Sequence, residues 1–154
     1  MRTASSDTTN AMVDTNIAVY AYDADEGRKH ERARQLLRAL SDSGRLVYST
    51  QVLNEFYSTM IRIGRKRGWS HDDVAEMVRE LAATGKVAPL TEQVTFRALD
   101  VLGRHPLPFW DALIWAAARE HAVPIVYSED FPHETSIEGV RFLNPFRMPE
   151  EALV

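Results

Sequence analysis

Four acidic residues lie at positions that a solvent-facing surface does not explain well. Asp14 directly follows the apolar run 11–13, and Glu55 interrupts the apolar stretch VLNEFY. Asp111 stands in the first turn of a predicted Ala-rich helix, and Asp130 ends the segment IVYSED. Converging carboxylates repel one another, and their pKa values rise unless a cation compensates. Mg²⁺ prefers oxygen ligands and leaves positions open for phosphate and water, which is the chemistry of metal-assisted phosphodiester hydrolysis.

Each of these acids also has an ordinary structural explanation. Asp14 could form a turn or cap a helix, and Asp111 is favoured in a first helical turn by the helix dipole alone. Glu55 could belong to the solvent-facing stripe of its helix, and Asp130 could be a turn residue before Pro132. The case for a functional site therefore rests on the four acids together.

The apolar pattern predicts strands and helices that alternate around the acids. The predicted strands cover residues 11–13, 45–50, 86–90, 124–130 and 140–146. A helix opens at 17–22 before the polar segment 23–30, and further helices cover 31–44, 51–64, 70–85, 91–105 and 109–123. This alternation implies parallel crossovers and a three-layer α/β fold, in which ligands bind beyond the carboxyl ends of the strands. Asp14, Asp111 and Asp130 are therefore expected at one edge of the sheet.

Length and composition indicate one globular domain, residues 11–154, because 154 residues suffice for a single sizeable core. The 18 basic residues are outnumbered by 22 acidic ones, and the net charge of −4 does not suggest a generic nucleic-acid binder. It does not exclude one, because acids in a pocket lower the total while basic residues occupy its rim. The absence of cysteine excludes disulfides and thiolate metal sites.

The first ten residues are polar and rich in Ser and Thr, which predicts a disordered extension. They contain no apolar signal-peptide core, and no run approaches the roughly 18–20 apolar residues that cross a bilayer. We therefore expect a cytoplasmic protein with no membrane partner. Met12, just ahead of the first acid, is a candidate for the true start of the chain.

Four motifs in a fixed order give the chain a family resemblance. MVDTNIAVYAYD, STQVLNEFY, FWDALIWAAA and IVYSEDF together resemble the PIN-domain ribonucleases, specifically the VapC-like toxins of bacterial toxin–antitoxin pairs. The resemblance extends roughly over residues 12–146. It implies a PIN fold, with a parallel sheet of about four or five strands between helices, and an endoribonuclease that depends on Mg²⁺ or Mn²⁺.

The resemblance assigns roles to the four acids and to two polar residues. The predicted catalytic and metal-binding residues are Asp14, Glu55, Asp111 and Asp130, supported by Asn16 and Ser128. Asp14 and Asp111 are expected to be the main ligands, with Asp130 acting directly or through water. Glu55 would hold a metal-bound water or a second ion. Glu129 neighbours Asp130, but alternate strand residues point to opposite faces, and the motif favours Asp130.

RNA binding is predicted at the basic cluster, which consists of Arg62, Arg65, Lys66 and Arg67. The other interpretation is a solubilising helix end, where cations also suit the dipole.

Aromatic residues near the acids have two interpretations. Trp110 and Trp115 are expected to pack in the core, as large aromatic side chains usually do. Phe56, Tyr57 and Met60 could instead line a groove for the helix of a cognate antitoxin, the partner that the family resemblance implies. The resemblance also implies a homodimer.

Two rival functions fit the sequence less well. A non-catalytic PIN-fold module that binds RNA or protein is the main alternative, although all four acids are present. A haloacid-type phosphatase would need Asp at both 14 and 16, but residue 16 is Asn.

Overall fold

A six-stranded sheet forms the centre of the computed structural model, which describes residues 9–153. Its strands are β1 (Ala11–Val13), β2 (Leu46–Ser49), β3 (Lys86–Ala88), β4 (Ile125–Tyr127), β5 (Thr135–Ile137) and β6 (Val140–Leu143). Their order is β3-β2-β1-β4-β6-β5, and every neighbouring pair is parallel except β5 with β6. The predicted parallel sheet is confirmed, and the antiparallel edge strand β5 is an addition to it. Most of the predicted extension, residues 1–8, lies outside the described residues.

Helices flank the sheet in two groups. The α-helices are α1 (Thr15–Tyr22), α2 (Arg28–Asp42), α3 (Thr50–Gly64), α4 (His71–Ala83), α5 (Glu92–Leu102) and α6 (Phe109–Glu120). Short 3-10 helices cover Ala24–Glu26, Pro145–Arg147 and Glu150–Leu153. Contacts join α1 to α2 and α3, and α3 to α4, whereas α5 packs against α6. Within the described part of the chain, every helix is too short or too polar to cross a lipid bilayer.

Polar caps decide where several helices begin. Asp14 and Ser49, at the ends of β1 and β2, accept backbone hydrogen bonds and cap α1 and α3. Ser70 accepts from the Asp73 N–H while the Asp73 side chain accepts from the Ser70 N–H, and this capping box starts α4. These caps satisfy N–H groups that have no partner inside the helix. The caps at Asp14 and Ser49 also start their helices at the carboxyl edge of the sheet.

The apolar core fixes the scaffold of that edge. Ala11, Met12 and Val13 of β1 are fully buried at the centre of the sheet. Trp115 is also buried, as predicted, and its indole N–H donates to the Ile137 carbonyl of β5 at 2.9 Å. Burial of a large aromatic side chain contributes strongly to core stability, provided that its N–H finds a partner.

Phe56 and Met60 correct one of the sequence interpretations. Both side chains are fully buried in the core, so they do not line a groove on the surface. They stand four residues apart, together with Val52, on the inward face of α3. Only Tyr57 of the proposed groove residues is half-buried, and its hydroxyl lies 2.9 Å from His71 Nδ1.

Removal of the α4 cap gives a test of the fold. Ser70→Ala should lower the free energy of unfolding by about 1 kcal/mol, because the Asp73 N–H loses its acceptor. Ser58→Ala, at an exposed position inside α3, is the matched control and should change it by less than about 0.5 kcal/mol. Urea denaturation measures both values. Equal losses in the two variants would contradict the capping role.

Candidate active site

The four predicted acids line a single cavity of about 310 Å³. Each comes from a different element: Asp14 from the end of β1, Glu55 from α3, Asp111 from the first turn of α6, and Asp130 from the segment after β4. The other lining residues are Thr15, Asn16, Val19, Tyr20, Gln51, Thr59, Trp110 and Ile114. The structure therefore brings together acids that are up to 116 positions apart in the sequence.

A second cavity, of about 400 Å³, has a different character. Its charged lining residues are two cations and two anions, namely Arg34, Arg38, Asp42 and Glu80. Because its charges are balanced, it has no need for a compensating ion. The acidic cavity is thus the candidate active site.

Asp14 is the most buried of the four acids, with 6% of its surface exposed. Its carboxylate accepts hydrogen bonds from the Thr15 N–H at 2.7 Å and from the Ser128 hydroxyl at 2.8 Å. Burial raises the pKa of Asp14 to about 6. The two hydrogen bonds act against this rise, whereas the charges of Asp130 and Glu55 add to it. Asp14 is consequently a buried carboxylate that a cation would stabilise.

Ser128 connects Asp14 to Asp130. The Ser128 side chain is fully buried, because it follows β4, which lies beside β1 in the sheet. Its hydroxyl donates to Asp14 and also accepts from the Asp130 N–H at 3.1 Å. The structure thus places Ser128 where it orients the first acid and fixes the backbone of the last one.

Glu55 is held by two residues that the sequence pattern does not single out. Gln51 Nε2 donates to Glu55 Oε1 at 2.6 Å, and the Thr15 hydroxyl donates to Glu55 Oε2 at 3.3 Å. Gln51 Nε2 also donates to the Trp110 carbonyl at 3.2 Å, which joins α3 to the start of α6. A helical spacing of four residues between Gln51 and Glu55 is the one signal that could have indicated this pair.

Asp111 and Asp130 are the other two acids that line the cavity. Burial raises the pKa of Asp111, and the neighbouring charges of Asp130 and Glu55 raise it further. Asp130 is exposed, at the mouth of the cavity. The adjacent Glu129 instead accepts hydrogen bonds from the Tyr20 hydroxyl and, at 2.8 Å, from Lys29 Nζ. Of the two neighbouring acids, Asp130 lines the cavity.

The oxygen atoms of the cavity suit a hard divalent cation. Asn16 Oδ1 and Gln51 Oε1 are buried there and have no hydrogen-bond partner among residues 9–153. A cation or its hydration shell would satisfy such atoms. Within the same residues, no three acidic or histidine side chains form a ready-made metal cluster. The donor set therefore fits an ion held by one or two carboxylates and completed by water, as is usual for Mg²⁺.

The basic cluster is separate from the cavity. Arg62 follows Glu55 by seven residues along α3, which corresponds to about 10 Å along the helix axis. Arg67 lies 2.7 Å from both Asp23 and Asp25, so its charge is already paired. Arg62 is exposed, as are the other two members, Arg65 and Lys66.

Trp110 differs from the expectation of core packing. It is 63% exposed and lines the cavity next to Asp111, whereas Trp115 is buried. The apolar composition of α6 does not distinguish these two positions, because the cavity begins at the first turn of the helix.

Comparison with protein families supports the resemblance seen in the sequence. The model of the PIN domain matches residues 11–132, which is most of the chain and includes all four acids. A search of curated proteins finds no significant match.

Several solved structures have a similar fold. A toxin–antitoxin complex from Klebsiella pneumoniae matches with a TM-score of 0.66 at 19% identity, covering 90% of this chain and 100% of the other. VapC20 of Mycobacterium tuberculosis is described as a sarcin-ricin loop cleaving toxin. It matches with a TM-score of 0.58 at 22% identity, covering 76% of this chain and 87% of the other. DNA-bound VapBC of Salmonella typhimurium matches with a TM-score of 0.63 at 16% identity, covering 87% of this chain and 96% of the other. At these identities the likeness concerns the fold.

The raised pKa of Asp14 predicts a pH-dependent stability. The folded chain holds this proton up to about pH 6, whereas an ordinary Asp releases it near 3.8. Its contribution to stability is complete below the lower value and is lost as pH rises through the higher one. Asp14→Asn cannot ionise, so it should be more stable than the wild type at pH 8 by on the order of 1–3 kcal/mol. At pH 4 the difference should be small.

Urea denaturation at the two pH values, with a chelator present, measures this difference. Asp100→Asn, at an exposed position on α5, is the control and should show no such pH dependence. If Asp14→Asn were less stable than the wild type at both pH 8 and pH 4, the claim that ionised Asp14 destabilises the fold would be wrong.

Proposed function

Because the chain belongs to the PIN-domain family, we propose that it is a metal-dependent endoribonuclease that hydrolyses RNA phosphodiester bonds. The observation that carries this proposal is the shared cavity of Asp14, Glu55, Asp111 and Asp130. Four carboxylates from four elements repel one another, and folding them into one cavity is explained when a cation and a phosphate occupy it. VapC20, which has a similar fold, is described as a sarcin-ricin loop cleaving toxin.

Mg²⁺, or Mn²⁺ in its place, is the cation that we assign to the cavity. Such an ion supplies a Lewis acid for the phosphate and lowers the pKa of a bound water. Asp14 and Asp111 would be its main ligands, with Asp130 acting directly or through water. Asp14 must be ionised to bind, which its pKa of about 6 allows at neutral pH.

The remaining residues of the site position these ligands. The Thr15 N–H and the Ser128 hydroxyl orient the Asp14 carboxylate. Gln51 holds Glu55 at 2.6 Å, and we assign to Glu55 a bound water or a second ion. Asn16 lines the same cavity, and its buried Oδ1 has no hydrogen-bond partner among residues 9–153, so we assign it a supporting role beside Asp14.

We further propose that the protein is the toxin of a toxin–antitoxin pair, with a cognate antitoxin as partner and a homodimeric form. Complexes of this kind are the subject of two of the similar structures, and this chain covers 100% and 96% of the matched chains. Arg62, Arg65 and Lys66 are exposed and remain the proposed contacts to RNA phosphates. Their contribution would weaken as salt rises.

A non-catalytic PIN-fold module that binds RNA or protein is the second candidate. The lack of a ready-made three-ligand cluster within residues 9–153 is the observation that favours it. Cleavage of RNA by the purified protein distinguishes the two functions.

Substitution of Asp111 tests the nuclease directly. Asp111→Asn should lower the rate of RNA cleavage in Mg²⁺ by at least about 100-fold, because even residues behind the metal ligands typically contribute 10–100-fold. Asp100→Asn, an exposed acid on the neighbouring helix α5, is the matched control and should retain the wild-type rate. Cleavage of a labelled RNA measures both rates. A wild-type rate in a folded Asp111→Asn protein would overturn the assignment.

Cation binding can be tested without any cleavage. Saturating Mg²⁺ should raise the melting temperature of the wild type, since a ligand at 100 times its Kd stabilises by about 2.7 kcal/mol. Asp14→Asn should lose most of this increase, although the same variant is expected to be the more stable protein in a chelator. Differential scanning fluorimetry with and without Mg²⁺ measures both effects. Equal increases in the two proteins would place the ion elsewhere.

A further inference from the structure

Trp110, which lines the acidic cavity, forms an exposed aromatic pair with Phe109. Trp110 is 63% exposed and Phe109 is 39% exposed, although large aromatic side chains are mostly buried in proteins. Their ring centroids are 5.2 Å apart and their planes meet at 76°. An edge-to-face contact covers at most one face of the Trp110 indole. Because 63% of Trp110 is exposed, ring surface remains available to a flat ligand.

The backbone that carries this pair is fixed relative to the acids. Trp110 directly precedes Asp111 in the first turn of α6. Its carbonyl accepts from Gln51 Nε2 at 3.2 Å, and the same nitrogen donates to Glu55 at 2.6 Å. One amide therefore connects the Trp110 backbone to Glu55, and Asp111 is its neighbour in the sequence. An exposed ring on such a rigid support is suited to binding, because little conformational freedom remains to be lost.

The charge of the cavity favours a nucleobase as the ligand of this ring. Among the described residues that line the cavity, four are acidic and none is Lys or Arg. An RNA strand near these acids therefore gains little from direct charge attraction to the wall. Stacking of a base on an aromatic side chain contributes about 1–3 kcal/mol and is available to every base. A base inside a duplex has both faces covered, so only an unpaired base can stack in this way.

We propose that Phe109 and Trp110 form a stacking platform for an unpaired base beside the scissile phosphate. Trp110 is then a residue that binds the substrate and favours an unpaired base over a paired one. This inference rests on the proposed nuclease function. A protein partner is the other ligand that an exposed aromatic pair could bind. The position of Trp110 in the wall of the acidic cavity favours RNA.

Binding of RNA in a cleavage-deficient background tests the platform. In an Asp14→Asn protein with Mg²⁺, Trp110→Ala should weaken the binding of a fluorescent 12-nucleotide single strand by about 5- to 100-fold. Trp110→Phe, which keeps an aromatic face, should retain most of the affinity. Phe96→Ala removes a 47% exposed aromatic ring from α5, outside the cavity, and should leave the affinity unchanged. Fluorescence anisotropy measures all four proteins.

Abasic substitution in the RNA gives the same test without changing Trp110. When each base of the strand is removed in turn, one position should weaken binding to the Asp14→Asn parent and have little effect on the Trp110→Ala variant. This coupling would identify the stacked base. A duplex of the same sequence should bind equally to both proteins.

The possible failures separate the two proposals. If no protein of the series binds the single strand, the platform is wrong, whereas RNA cleavage by the wild type in Mg²⁺ decides the nuclease function separately. If the Asp14→Asn parent binds and Trp110→Ala binds equally well, only the platform is wrong. If Trp110→Ala changes the sedimentation of the protein and not its RNA affinity, the aromatic pair is a contact between copies of the chain, and the platform is again refuted.

Discussion

Repulsion between carboxylates at one edge of the sheet is the constraint on which the rest of the structure depends. Asp14 is buried at the end of the central strand β1. This burial disfavours the ionised carboxylate and raises its pKa to about 6. Each of the four acids comes from a different part of the chain, so their charges meet only when the chain has folded. The fold therefore delivers them from β1, α3, α6 and the segment after β4, each with its own support.

The supports of the site are neutral donors. Thr15, Ser128 and Gln51 orient carboxylates through hydroxyl and amide groups, whose own charge does not change with pH. A cationic side chain in their place would pair with the acids and compete with any bound ion. The arrangement keeps the negative charge of the cavity available for a cation. The buried apolar core beneath β1 and α6 offsets the loss of folding stability that this charge causes.

The predictable parts of the fold are those with local signals. The strand end at Asp14 and the helix that starts near residue 70 depend on neighbouring residues, so the sequence pattern was enough to predict both. The exposure of Trp110 was less evident. Residues 112–118 of α6 are buried on every side of the helix, and only its first turn reaches the cavity. The partner of Glu129 could not be predicted either, because Tyr20 is 109 positions away and no periodicity connects them.

The place of β4 in the sheet has a consequence for synthesis. β4 lies between β1 and β6, so a strand made late in translation enters the middle of the sheet. The hydrogen bond from Ser128 to Asp14 spans 114 positions, and pairings of such separation form slowly. A chain released before β4 contains three of the four acids and lacks the strand that orders the first one. The cavity of four acids therefore exists only after β4 and the segment that follows it have been made and have joined the sheet.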